Sequence, residues 1–289
     1  MPTSFAVQDM TIHRIVEQEY GFTPLFEFLP TLTKERFEEN RSWMEQGAYD
    51  AKTGNCVLCF QSYVVKTPHH NILVDACIGN DKSFPLRPSW DKKSDDNWMR
   101  ALKAAGLGVE DIDFVMCTHL HGDHVGWNTK LENGRWVPTF PKARYLMGQR
   151  EWDYWSKYDE SPDFKLPIED SVRPVIDARL AELVEPNLRI TGEVWLEPTP
   201  GHTPGHISVR ISSRGENAVI TGDMMHHPIQ VAHPDWVVGF DTDPKLAVET
   251  RKQFVERYCD QAVAVLGTHF AGPTSGHIVR RNGEFRFEA

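Results

Sequence analysis

The chain has 289 residues, and 31 Lys and Arg stand against 41 Asp and Glu, a formal net charge of -10 at neutral pH. That length supports one domain or two around a sizeable core, and the 40% apolar content is ordinary for a globular protein. The acidic balance, with no basic block, argues against a nucleic-acid partner, and no run of eighteen apolar residues predicts a membrane span.

The opening stretch MPTSFAVQDMTIHRIVEQEY has no basic segment before an apolar core, so it does not read as a secretory signal. Cys56, Cys59, Cys77, Cys117 and Cys259 are odd in number and scattered, which argues against a disulfide framework and for a reduced, cytoplasmic setting. No low-complexity tract divides the chain. One domain over residues 1–289 is expected, with residues 1–50 as an amino-terminal lid or oligomer-contact segment.

In chain order, CVLCFQSYVVKT and NILVDAC read as strands joined by the turn PHHN. NWMRALKAAGLGVEDI follows a Pro- and Asp-rich loop and reads as a helix, with Trp98, Leu102 and Ala105 near helical spacing and Gly106 placed to end it. DFVMCTH is a buried strand, ARYLMG another, and QREWDYWSKY aromatic helix or loop. Later strands are GEVWLEPT, HISVRISS, NAVITGD and AVAVLGT. A helix runs from Asp243 through Tyr258, with Pro244 in its first turn and Leu246, Thr250 and Phe254 on one face. GHIVRRNGEFRFEA reads as two short strands about an Asn-Gly turn. The strands lack the regular helix alternation of a doubly wound sheet, and two sheets with helices outside them fit the pattern.

The chemistry concentrates in THLHGDH, where His119, His121, Asp123 and His124 lie within six consecutive positions. His119 and His121 can share one face of an extended segment, whereas Asp123 and His124 need the chain to turn, for which Gly122 has the freedom. So many imidazoles and carboxylates are costly to bury without partners. His202 and His206 in TPGHTPGH, Asp223 at the end of NAVITGD and His269 at the end of AVAVLGTH each stand at or past a strand end, where a rigid scaffold can present them. Imidazole nitrogen and carboxylate oxygen suit zinc, and also iron, manganese or cobalt. No GxSxG nucleophile elbow occurs.

These motifs resemble those of the metallo-beta-lactamase-fold hydrolases, over roughly Cys56 to His269. THLHGDH matches the HxHxDH signature, and GHTPGH, Asp223 and His269 follow in the family's order. The resemblance implies an α+β fold, the αββα sandwich of two mixed sheets flanked by helices, and two divalent metal ions, zinc before Mn2+, Fe2+ or Co2+. It implies that His119, His121 and His202 hold the first ion, that Asp123, His124 and His269 hold the second, and that Asp223 bridges both together with a water or hydroxide. In this scheme His206 is structural. Asp123 also positions the nucleophile. The similarity is nearest to the lactonase and organophosphate-hydrolase-like members. Quorum-signal lactonases carry a tyrosine three residues after the bridging aspartate, where this chain has His226. His226, with His227 as fallback, is a candidate to contact the substrate and help the leaving group depart.

Other residues have plainer readings. Cys56 and Cys59 read as small buried residues, His69 and His70 as a surface turn, and Met224 and Met225 as packing. Trp127, the group Trp152, Trp155 and Tyr158, and the group Phe22, Phe26 and Phe28 are core, oligomer contact or the wall of an apolar pocket. The expected function is hydrolysis of a small neutral lactone or ester. Competing readings are an organophosphate or aryl-ester hydrolase, a beta-lactamase, a thioester hydrolase or sulfur dioxygenase, an RNA-processing nuclease and a metal-stabilised interaction domain. The expected partner is a small molecule, with neither nucleic acid nor membrane, and a homodimer is compatible.

Overall fold

The computed structural model describes residues 4–44 and 47–289, so residues 1–3 and 45–46 of the amino-terminal segment lie outside the described residues. The chain groups into two compact units. One comprises Phe60–Leu188 with the chain up to Gln18, and the other Glu19–Cys59 with Arg189–Ala289.

The first sheet contains β1 (Ser4–Val7), β2 (Met10–Pro24), β3 (Tyr49–Asp50), β4 (Asn55–Lys66), β5 (Asn71–Val74), β6 (Phe114–Cys117), β9 (Arg144–Gly148) and β10 (Ala181–Val184). Its order is β1-β2-β4-β5-β6-β9-β10, with β3 beside β4. β5, β6, β9 and β10 run parallel. Parallel strands are covered on both faces, which explains their unbroken apolar runs ILV, FVMC and YLM. A separate hairpin pairs β7 (Thr129–Glu132) with β8 (Arg135–Pro138).

Helical segments cover the part of this sheet that belongs to the first unit. Trp98 and Leu102 of the helix Asn97–Ala104, Trp155 of Gln149–Trp155, and Ile168, Val172 and Val175 pack with Val64, Leu73, Val115, Tyr145 and Met147. Trp98 is fully buried, stacks on Trp127 at 5.5 Å and donates its indole N–H to Ser62 Oγ at 3.0 Å. Trp127 in turn donates to Glu17 Oε1 at 2.8 Å, and Lys93 Nζ lies 2.9 Å from the same oxygen. Trp127 is therefore core.

The second sheet is β11 (Val194–Pro198), β12 (Ile207–Ser213), β13 (Glu216–Ile220), β14 (Val263–Leu266), β15 (Ser275–Arg281) and β16 (Glu284–Glu288), in that order. Only β13 and β14 pair in parallel. Asn282 and Gly283 both take positive φ, 51° and 85°, as the tight β15–β16 turn requires. The helix Pro244–Tyr258 covers this sheet through Phe254, Val255 and Tyr258, together with Met224 and Met225. Asp243 caps it by accepting from Leu246 N–H at 3.1 Å. Its buried face is Ala247, Arg251, Phe254, Val255 and Tyr258, so Leu246 and Thr250 sit at the margin of the stripe predicted for them. Mixed sheets flanked by helices make this the expected αββα architecture.

Two backbone segments of the first unit meet closely. Ala76 N–H donates to the His124 carbonyl at 2.7 Å, Gly126 N–H to Cys77 at 2.7 Å, and Trp127 N–H to Ala76 at 2.7 Å. A Cβ on Gly126 would stand 1.8 Å from the Ile78 carbonyl oxygen, a distance no side chain tolerates. Gly126→Ala should therefore lower stability by about 3 kcal/mol, the upper end of ordinary overpacking costs. The check is the urea midpoint, read at an unchanged m value.

Candidate metal centre

The THLHGDH segment leaves the sheet at the end of β6. His119 and His121 lie in the following loop, and Asp123 and His124 on the single helical turn Gly122–Val125. Gly122 starts that turn with no unusual φ. Its lack of a side chain makes room for Phe84, whose ring would be 2.5 Å from a Cβ. The His119 and His121 rings are 4.6 Å apart, and those of His119 and His124 are 4.1 Å apart.

Asp75, just past β5, organises this loop. Its Oδ1 accepts from Thr118 N–H at 2.8 Å and its Oδ2 from Thr118 Oγ1 at 2.9 Å. Because the Thr118 hydroxyl donates there, it accepts from His119 Nδ1 at 3.1 Å. His124 Nδ1 lies 3.0 Å from Asp75 Oδ2. Through Thr118 this buried carboxylate sets the proton of His119 on Nδ1 and turns its Nε2 inward, and its Oδ2 also faces His124 Nδ1. Asp75 adopts φ +60°, in the left-handed region that Asp and Asn enter more readily than most non-glycine residues. Beside the loop, buried Glu151 accepts from Leu120 N–H at 3.2 Å and from the Trp155 indole at 2.9 Å. The Trp155 and Phe164 rings pack on His121 at 4.9 and 5.0 Å.

In the other unit, His202, Asp223 and His269 come from the loops after β11, β13 and β14. Asp223 Oδ2 is 3.6 Å from His202 Nε2 and 3.1 Å from His226 Nε2, and Oδ1 is 3.1 Å from His269 Nε2. His202 Nδ1 faces Asp241 Oδ1 at 3.1 Å. Burial pushes the Asp241 carboxyl up, but His202 and Arg251 outweigh it and hold the group down at about 2, an ionised acceptor. His269 Nδ1 donates to the Cys59 carbonyl at 2.9 Å. Here too the tethered Nδ1 directs Nε2 to the centre.

The neighbouring histidines differ in kind. His206 Nε2 accepts the Asp223 backbone N–H at 2.8 Å, so its Nδ1 carries the proton and donates to Thr199 Oγ1 at 2.9 Å. His206 therefore holds Asp223 by its backbone. Both nitrogens of His227 meet backbone: Nε2 donates to Ala48 at 3.2 Å, and Nδ1 accepts from Ile229 at 3.0 Å. His226 is stacked on His269 at 5.6 Å and touched edge-on by Phe28 at 5.6 Å. Burial lowers its pKa to about 4, against the pull of Asp223, so the ring is neutral at pH 7.

The first unit thus presents His119, His121, Asp123 and His124, and the second His202, Asp223, His226 and His269; among the described residues of the second, His202, Asp223 and His226 bring ligand atoms close enough together to hold an ion. The His and Asp side chains can thus coordinate two divalent ions. The donor set fits: imidazoles with fixed tautomers and carboxylates, without a thiolate, suit zinc and its first-row neighbours. The five cysteines form no disulfide, are all buried, and belong to none of these groups. Sequence reasoning missed Asp75, Asp241 and Glu151. Asp75 carried a signal, since it ends an apolar strand as Asp223 does; Asp241 and Glu151 carried none.

Residues 61–257 match the family described as the metallo-beta-lactamase superfamily. An N-acyl homoserine lactonase of Bacillus sp is 26% identical over 207 residues, 67% of this chain and 74% of that protein. The fold is similar to that of AbOPH, a hydrolase in the beta-lactamase superfamily, with TM-score 0.81, 22% identity and coverage of 99% of this chain and 96% of that one. It is also similar to AidC, a dizinc quorum-quenching lactonase, with TM-score 0.77, 20% identity and coverage of 98% and 95%.

The contrast between His202 and His206 can be measured by elemental analysis. Protein purified without chelator should hold two divalent ions per chain. His202→Ala should lose at least one of them, whereas His206→Gln should keep both with a modest fall in stability, about 1 kcal/mol for one altered hydrogen bond.

Proposed function

The chain belongs to the metallo-beta-lactamase superfamily, and from that footing we propose that it is a dinuclear-metal-dependent hydrolase of a small neutral lactone or ester. The observation that carries this reading is the buried set of His119, His121, His124, His202, Asp223 and His269, with Asp123 at its edge. In this reading His119, His121 and His202 would hold one ion, Asp123, His124 and His269 would hold the other, and Asp223 would serve both. Similarity to the Bacillus N-acyl homoserine lactonase supports an N-acylated lactone as the first substrate to try. When bound, two divalent ions lower the pKa of a water and polarise a carbonyl.

The protein's own groups do the rest. Asp123 is partly exposed, unlike its neighbours, and is placed to orient the attacking water. His226 is neutral, and the one proton on its ring, at Nε2, is directed at Asp223. A neutral imidazole can polarise an oxygen through its N–H without giving up the proton, and we assign that role to His226 at the leaving oxygen, where its Nε2–H would exchange Asp223 for the substrate once the carboxylate is engaged by an ion. Phe28 on His226, with Phe22 and Phe240 at 6.5 and 6.3 Å from Phe28, forms one apolar surface for the substrate. Trp155 and Phe164 on His121 form another. Phe22 and Phe28 belong to the first fifty residues, which supports a covering role for that segment. Among the described residues no helix is long and apolar enough to cross a membrane. We propose in addition a cytoplasmic setting, a small molecule rather than nucleic acid as partner, and a homodimer as a separate expectation.

Comparison of kcat/KM on metal-loaded protein for N-acyl lactones, aryl esters, phosphotriesters and beta-lactams tests the substrate class. Lactones should lead by at least an order of magnitude, and a phosphotriester in first place would sink the assignment. For His226→Gln with metal content intact, the loss should be on the order of 10²-fold for a poor alkoxide leaving group and much smaller for a phenolate. Equal losses would mean that His226 only positions the substrate.

A further inference from the structure

Arg251 is fully buried on the helix Pro244–Tyr258. A guanidinium keeps its charge in proteins and offers five donors, so a buried one persists only where acceptors surround it. Nε donates to the Pro234 carbonyl at 3.1 Å, Nη1 to the Met224 carbonyl at 3.3 Å, and Nη2 to Asp241 Oδ2 at 3.4 Å. Val238 N–H also donates to Oδ2, at 3.1 Å. The other Asp241 oxygen is spent on His202 Nδ1 at 3.1 Å. Met224 directly follows Asp223 in the short turn Gly222–Met224.

We propose that Arg251 is a positioning residue for the metal centre: it fixes Asp241, and through Asp241 the ring of His202, while its bond to Met224 steadies the turn that carries Asp223. The inference rests on the metal-centre reading above. An arginine serving only to neutralise a buried acid would need that acid to have no other duty. Here Asp241 has one, because it sets which nitrogen of His202 carries the proton. Arg251 also grips the backbone next to a second ligand. One cation that touches neither ligand thereby restrains both.

The test is the Zn2+ dissociation constant of the stripped full-length chain, read by competition with a chromophoric chelator, beside thermal melts of the stripped protein. Arg251→Met and Asp241→Asn should each weaken Zn2+ binding by about 10- to 100-fold, the usual loss for an outer partner of a metal ligand. Their double variant should lose no more than the worse single one, and Arg251→Lys should recover part of the affinity. The double variant leaves neither charge buried alone, so it answers the question even where Arg251→Met does not fold. A double variant that binds two Zn2+ as tightly as wild type overturns the proposal, as does a lower melting temperature with unchanged Zn2+ affinity in a folded single variant. Wild-type protein that takes up no Zn2+ overturns the metal-centre reading itself, and this inference with it.

Discussion

Taking imidazoles and carboxylates out of water without leaving their nitrogens to choose a proton freely is the constraint around which the centre is arranged. A buried histidine can present either nitrogen, and only one choice gives a ligand pointing inward. The protein removes that freedom at each tether. Asp75 acts on His124 and, through Thr118, on His119; Asp241 acts on His202; the Cys59 carbonyl acts on His269. The acceptors are a carboxylate, a hydroxyl already committed as donor, and a main-chain carbonyl, none of which can give a proton back to the ring.

The sheets supply the fixed points. Asp75 and the THLHGDH loop leave adjacent parallel strands, β5 and β6, so their spacing is set by a hydrogen-bonded ladder. In the second sheet, Asp223 and His269 leave the one parallel pair, β13 and β14. Parallel neighbours end at the same edge, which is why ligands far apart in sequence emerge side by side. His206 adds a restraint of another kind, since it holds the Asp223 main chain and its own proton runs on to Thr199 and Ser208.

The candidate ligand residues stood out in the sequence because several histidines and acids at strand ends are a rare pattern with few bland explanations. Apolar runs made β4, β5, β6 and β9 of the first sheet readable, and the strands of the second. β2 was not: Arg14 and Glu17 fall at buried positions of that strand, so its alternation is masked. The β7–β8 hairpin was overlooked although Asn133-Gly134 carries the same turn signal as Asn282-Gly283, with φ of 50° and 76°. Pro162 and Pro174 sit at helix starts, where a missing N–H costs nothing. Arg251 was hidden for a deeper reason. A charged residue on a helix reads as solvent-facing, and only the positions of Asp241, Met224 and Pro234 show otherwise.

The cysteines acquire a use from where they stand. Cys59 offers the carbonyl that holds His269, Cys77 follows Asp75 by two residues, and Cys117 immediately precedes Thr118. All three thiols are sealed from solvent, and burial pushes that of Cys117 up to about 12. A thiol reagent meets them only when the chain around them opens, so the speed of labelling counts openings and is indifferent to catalysis. Each of these sulfurs is in effect a clock beside a hinge pin of the ligand shell. Comparing the clocks with and without bound zinc would tell how much of the shell's rigidity belongs to the polypeptide and how much is lent by the ions.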